Sequence, residues 1–169
     1  MKTLLILVVI LFIAMAPVIA MRPSLHQRRQ IALRDEARRQ GFRVAIEKTP
    51  WLEDSLSTVA YRLHYPRELQ GPRFALINAQ EGDTPGQITR MTGAPVGWKS
   101  VHSSLTSLSF DKRSAVETLL KQLPKDIRAL ESDARALTLW WDETLDAAAF
   151  AILAEQLKVA QARLTNNTP

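Results

Sequence analysis

The sequence predicts an α+β protein: one N-terminal transmembrane helix and a juxtamembrane helix, then a mostly antiparallel sheet of about four strands covered by two amphipathic helices. Three observations predict it. Residues 3–21 form an uncharged apolar run; beyond Gly41 apolar side chains recur at every second position; and two later segments repeat them at helical spacing. A chain of 169 residues holds one ordinary domain plus an appendage. Its apolar content of 46% argues against disorder for most of its length. The absence of cysteine excludes a disulfide-stapled scaffold, thiol catalysis and Cys-ligated metal sites.

Twelve of the 19 residues from Thr3 to Met21 are Leu, Ile, Val or Phe. As a helix the run measures about 28 Å, close to the ~30 Å hydrocarbon core of a bilayer. The rival reading is a cleaved signal peptide, with Lys2 as its basic start, Leu4 to Ala16 as its apolar stretch and Val18-Ile19-Ala20 before the cut. Charge favours retention. Residues 22–43 carry Arg22, Arg28, Arg29, Arg34, Arg38, Arg39 and Arg43 against only Asp35 and Glu36, whereas residues 44–169 are nearly balanced. Positive charge gathers on the cytoplasmic side of a span, so the N-terminus is expected outside and the domain in the cytoplasm. The organisation that follows is an anchor over 1–21, a basic juxtamembrane helix over 22–40, a cytoplasmic α+β domain over 41–164 and a frayed tail over 165–169.

The elements follow in order. Pro23 suits a helix start and Gly41 a helix stop, and between them Leu25, Ile31, Leu33 and Ala37 make no continuous stripe. This helix is therefore expected in the lipid interface or against a partner rather than in a core. Its arginines Arg22, Arg28, Arg29, Arg34, Arg38 and Arg39 are the candidate contacts to lipid headgroups or to a partner. No aromatic residue lies between Met21 and Phe42 to stack on bases, so no nucleic-acid role is expected.

Phe42, Val44 and Ile46, then Val59, Tyr61, Leu63 and Tyr65, alternate with polar neighbours as half-buried strands do. Phe74 to Ala79 supplies a third strand between turn residues, and Ala136 to Trp141 a fourth. Residues 81–109 read as a long loop with a strand near Trp98 to Ser104. Val116, Leu119, Leu120 and Leu123, opened by Asp111 and stopped by Pro124, predict one helix. Leu145 to Leu164 predicts the other, with Ala149, Ile152, Leu153, Leu157, Ala160 and Leu164 on its buried face.

No catalytic constellation emerges. Gly93-Ala-Pro-Val-Gly97-Trp98-Lys99-Ser100 imitates a phosphate-binding loop, but only three residues separate its glycines and Trp98 interrupts the Gly-Lys-Ser unit. His26, His64 and His102 are too scattered for a metal cluster. Glu131, Asp133, Asp142 and Glu143 read as caps and solvated ends rather than an acid-base pair. No cofactor is expected. Trp140 and Trp141 face opposite sides of their strand, so one can enter the core while Trp140, like Trp98, serves as an interface aromatic.

The single apolar span followed by Met21-Arg22-Pro23 and Gln27-Arg28-Arg29 resembles the start of the YajC family, the small accessory subunit of the bacterial protein-export translocon. The likeness covers residues 3–40. It implies an outside N-terminus, one span and a cytoplasmic domain at the bacterial inner membrane. The expected role is a non-catalytic, single-pass accessory or regulatory subunit whose partners are membrane lipid and a larger integral membrane protein complex. Two alternatives remain: a periplasmic binding domain exported after cleavage at Ala20, and a small-ligand binder or enzyme using residues 82–109.

Overall fold

The computed structural model describes residues 24–49, 57–78, 97–101 and 105–165. Helix α1 (Leu25–Arg39) opens with a reciprocal cap, in which the Gln27 N–H donates to Ser24 Oγ and the Ser24 N–H to Gln27 Oε1. It closes at Gly41, whose φ of +91° a side chain would resist. There the N–H of Gly41 reaches Arg38 O and that of Phe42 reaches Ala37 O, the paired bonds of a left-handed helix stop.

Strand β1 (Arg43–Lys48) follows at once, then β2 (Ser57–His64), β3 (Phe74–Asn78) and the short β4 (Trp98–Ser100). A single 3-10 turn (Leu105–Ser107) leads into α2 (Phe110–Gln122), β5 (Ile127–Ser132), β6 (Ala136–Trp141) and α3 (Ala147–Thr165). All six strands join one antiparallel sheet in the order β1-β2-β6-β5-β3-β4.

Period-two alternation sorts the sheet into two faces. On the helix side, Tyr61 and Leu63 of β2, Leu137, Leu139 and Trp141 of β6, and Phe74 and Leu76 of β3 meet Leu119 and Leu120 of α2 and Phe150, Leu153 and Leu157 of α3. Tyr61, Trp141 and Phe150 form a mutual aromatic contact with centroids 5.3 to 5.8 Å apart, and Phe42 adds an edge at 5.5 Å. Such ring pairs contribute about 0.5–1.5 kcal/mol beyond their area. On the other face Trp140 is buried among Ala60, Ile77 and Ala129.

Several sequence expectations are corrected here. The sheet has six strands, not four. The unexpected β5 carries a bulge between Ile127 and Ala129 that sends these residues to opposite faces, which breaks the alternation that would have announced a strand. Three helices rather than two pack on the sheet, because α1 joins the domain: Leu33 and Ala37 are fully buried against its core.

Among the described residues no helix is long and apolar enough to cross a membrane. On that finding the predicted transmembrane helix, the single-pass signal-anchor reading and the inner-membrane topology are withdrawn. The run from Thr3 to Met21 and the cleavage site at Ala20 lie outside the described residues, as do Arg22 and the tail beyond Thr165.

Candidate functional site

The most concentrated polar chemistry sits where α1 meets the turn after β6. Glu143 occupies that turn with φ +58°, a left-handed conformation rare for a residue with a side chain. Its carboxylate is 1% exposed and accepts three hydrogen bonds: Arg34 Nε at 2.8 Å, Arg34 Nη2 at 2.6 Å and the Tyr61 hydroxyl at 2.7 Å. Burial, and then the bond to Glu143, push the Tyr61 phenol far above its ordinary range, so it stays a neutral donor. The Glu143 hydrogen bond likewise raises Arg34, which stays a cation.

Neighbouring bonds extend this clamp. Arg29 Nη2 donates to Thr144 O at 3.3 Å, and the Thr144 hydroxyl donates to Asp126 Oδ2 at 2.6 Å. Asp146 then caps α3 by accepting the Ala149 N–H at 2.8 Å. A held cation and a phenol that keeps its proton form a fastening rather than an acid-base pair. Among the described residues no group of three or more His, Asp or Glu side chains is placed to hold a metal ion.

The arginines expected to form one basic contact row are thereby divided. Arg34 turns inward to Glu143, Arg38 pairs with Asp35 at 2.9 Å, and Arg39 pairs with Glu36. Arg28 and Arg29 remain on the exposed first turns. The aromatics also differ from the expectation. Trp98 is half-buried against the main core. Trp140 is buried, its indole N–H donating to Glu131 Oε2 at 3.3 Å and the Arg62 guanidinium lying 5.8 Å from its ring centre. Its strand is interior to the sheet and buried along its whole length, so neither face of β6 offers an exposed anchor.

Of the 82–109 loop, residues 82–96 and His102 lie outside the described residues. Its described part places Lys99 and Ser100 on the edge strand β4, paired with Ile77 and Leu76. That is a strand register, not a phosphate cradle.

A concave apolar surface appears instead between α2 and α3. A cleft of about 260 Å³ is lined by Ala115, Leu119, Val159 and Ala160, with Glu155 and Arg163 along α3. Val159 is 53% exposed, and Ile152, two turns earlier on the same helix, is 67% exposed. The helical spacing of α3 predicts Ile152 on the buried face, and the structure turns it outward. The signal that could have found the outer surface is the unbroken apolar run from Ala147 to Ala154, which wraps every side of a helix and so must leave part of itself outside.

No protein-family model matches the chain, and no curated protein matches it. Among solved structures it is similar to the mycobacterial trehalose monomycolate transport factor A, TtfA, at 11% identity and a TM-score of 0.49, covering 79% of this chain and 92% of that one. A likeness at this level carries no argument about this chain.

Proposed function

We propose that the protein is a non-catalytic accessory subunit whose α2–α3 groove receives an amphipathic helix from a partner protein. The observation that carries this reading is the pair Ile152 and Val159, two large aliphatic side chains more than half exposed at a seven-residue step on α3, of which Val159 lines the apolar cleft. Single exposed aliphatics are ordinary, but Val159 lining the cleft and Ile152 two turns before it on the same helix match the i, i+7 anchors by which one helix receives another. Charge supports the same occupant. Arg163 lines the groove on α3 and fits an acid on the incoming helix, whereas Glu155 already pairs with Lys158 of its own helix at 2.8 Å.

The test is site-specific photocrosslinking in cells from positions 152 and 159, with exposed Ile46 on β1 as the control position. The expected result is one stoichiometric partner captured from the groove and not from position 46. Reconstituted binding of that purified partner should weaken at least tenfold in Ile152→Lys and Val159→Glu, with the unfolding midpoint unchanged. Crosslinks only between copies of this chain, or equal capture from position 46, would overturn the reading.

A further inference from the structure

A second concave region lies at the end of the sheet where the β2–β3 connection, residues 65–73, meets the β5–β6 turn. Its frame is tightly specified. The Tyr65 N–H donates to Arg135 O at 2.8 Å and the Gly71 N–H to Ala134 O at 3.4 Å. Ser132 Oγ donates to Pro72 O at 2.6 Å and lies 2.8 Å from the Tyr65 hydroxyl. Since the serine proton is already committed to Pro72, Tyr65 is the donor between them.

Gly71 seals the frame, because a Cβ there would stand 2.0 Å from the Tyr65 ring and 2.7 Å from Asp133 O. The Asp133 carboxylate closes its own turn, accepting the N–H groups of Arg135 at 2.6 Å and Ala136 at 2.8 Å.

From this frame His64, Arg67 and Arg135 border a cleft of about 510 Å³, whose remaining lining includes Tyr65, Pro66 and Leu69 and contains no carboxylate. Elsewhere Arg34, Arg38, Arg39, Arg62 and Arg128 each have a carboxylate partner. Arg67 and Arg135 have none among the described residues; Arg43, Arg73 and Arg163 share that condition, and it is the common cleft that sets Arg67 and Arg135 apart. The volume is that of a small-molecule site. Two guanidinium forks and an imidazole bordering one cleft, with no acid in its lining, supply the charge and the donors that a phosphoryl group takes, and Pro66 and Leu69 give an organic remainder an apolar surface to rest on.

We propose that this cleft binds a phosphoryl-bearing organic anion, either a soluble phosphomonoester or the headgroup of an anionic phospholipid. The site is separate from the α2–α3 groove, and groove variants should leave it intact.

The experiment titrates the full chain with glycerol 3-phosphate, followed by amide chemical shifts. In parallel it measures sedimentation with vesicles of phosphatidylglycerol in phosphatidylcholine, against phosphatidylcholine alone. The double variant Arg67→Ala/Arg135→Ala should bind at least ~10-fold more weakly. Lys121→Ala, in the last turn of α2 before the far end of β5, should bind as the parent does; urea midpoints confirm that both variants fold. Saturable binding of the soluble probe assigns a phosphomonoester, and binding confined to phosphatidylglycerol vesicles assigns the lipid headgroup. Absence of both, retention of binding in the double variant, or equal loss in Lys121→Ala overturns the proposal.

Discussion

Arg34 with Glu143 and Arg62 with Glu47 are the same chemical pair, a guanidinium forked onto a carboxylate, set in two different places. The first joins α1 to the turn after β6 with the carboxylate 1% exposed; the second spans β1 and β2 at a sheet edge, with side chains 26% and 45% exposed. Water screens the second pair and competes for its hydrogen bonds, so the geometry there is worth little. At Glu143 water is excluded, and each donor removed leaves a buried charge short of a partner. The difference shows that the contact distance is not the energy; what surrounds the carboxylate decides it.

The largest effect should come from breaking the buried pair on one side. Arg34→Ala, which leaves Glu143 without its cation, is expected to cost about 3–5 kcal/mol in urea unfolding. Replacing all three polar partners at once, as Arg34→Met with Glu143→Met and Tyr61→Phe, should cost less than that single change, because no charge is left stranded. If the triple variant is instead the least stable, the network is a net source of stability and burial of the carboxylate does not set the cost.

Tyr61→Phe comes next, at about 1.5–3 kcal/mol, the range for a hydrogen bond to a charged group. The same residue gives a pH signature. The chain has only two tyrosines, and burial raises both, Tyr65 to about 12 and Tyr61 further. A phenol raised on folding contributes stability that is complete below its unfolded value near 10 and is lost as pH rises toward the folded value. Absorbance of phenolate should therefore stay near zero above pH 10 while the fold persists, then rise together with the loss of helical circular dichroism. Ionisation of one tyrosine in the intact fold near pH 10 would contradict the burial of that ring.

The smallest effect belongs to the edge pair. A double-mutant cycle on Glu47→Ala and Arg62→Ala should give a coupling below about 1 kcal/mol. The Arg62 hydrogen bond holds the Glu47 carboxyl below its ordinary value of 4.5. Its contribution is thus present above that value and fades as pH falls through the lowered folded one. Screening predicts that added salt reduces this coupling and leaves the Arg34→Ala cost nearly unchanged.

Much of the architecture can be read locally. Strands β2 and β6 lie where apolar side chains alternate, and α2 and α3 where they recur at helical spacing, because each pattern images a buried face; β3 is a short apolar run between turn residues, and β1 alternates in sequence although its Ile46 is exposed. Strand β5 is illegible by the same rule, since its bulge moves Ala129 across the sheet from Ile127. The clamp was hidden for another reason. Glu143 sits beside Asp142 and Thr144 in a polar stretch indistinguishable from a solvated end, and its partners Arg34 and Tyr61 lie 109 and 82 residues away. His64 was legible as a polar-face residue, but nothing in the chain order announces that Arg67 and Arg135 line the same cleft.

The sequence by itself determined the α+β composition, the ends of α1, the two faces of most strands and the absence of cysteine chemistry, because these depend on interactions among near neighbours. Only the tertiary structure decided that α1 belongs to the domain, that Trp140 is enclosed, that one arginine of a basic row is tied to a buried carboxylate, and that Ile152 faces outward. Each of these outcomes depends on which distant segment excludes water from a side chain, and that is set when the sheet order β1-β2-β6-β5-β3-β4 brings remote parts of the chain together.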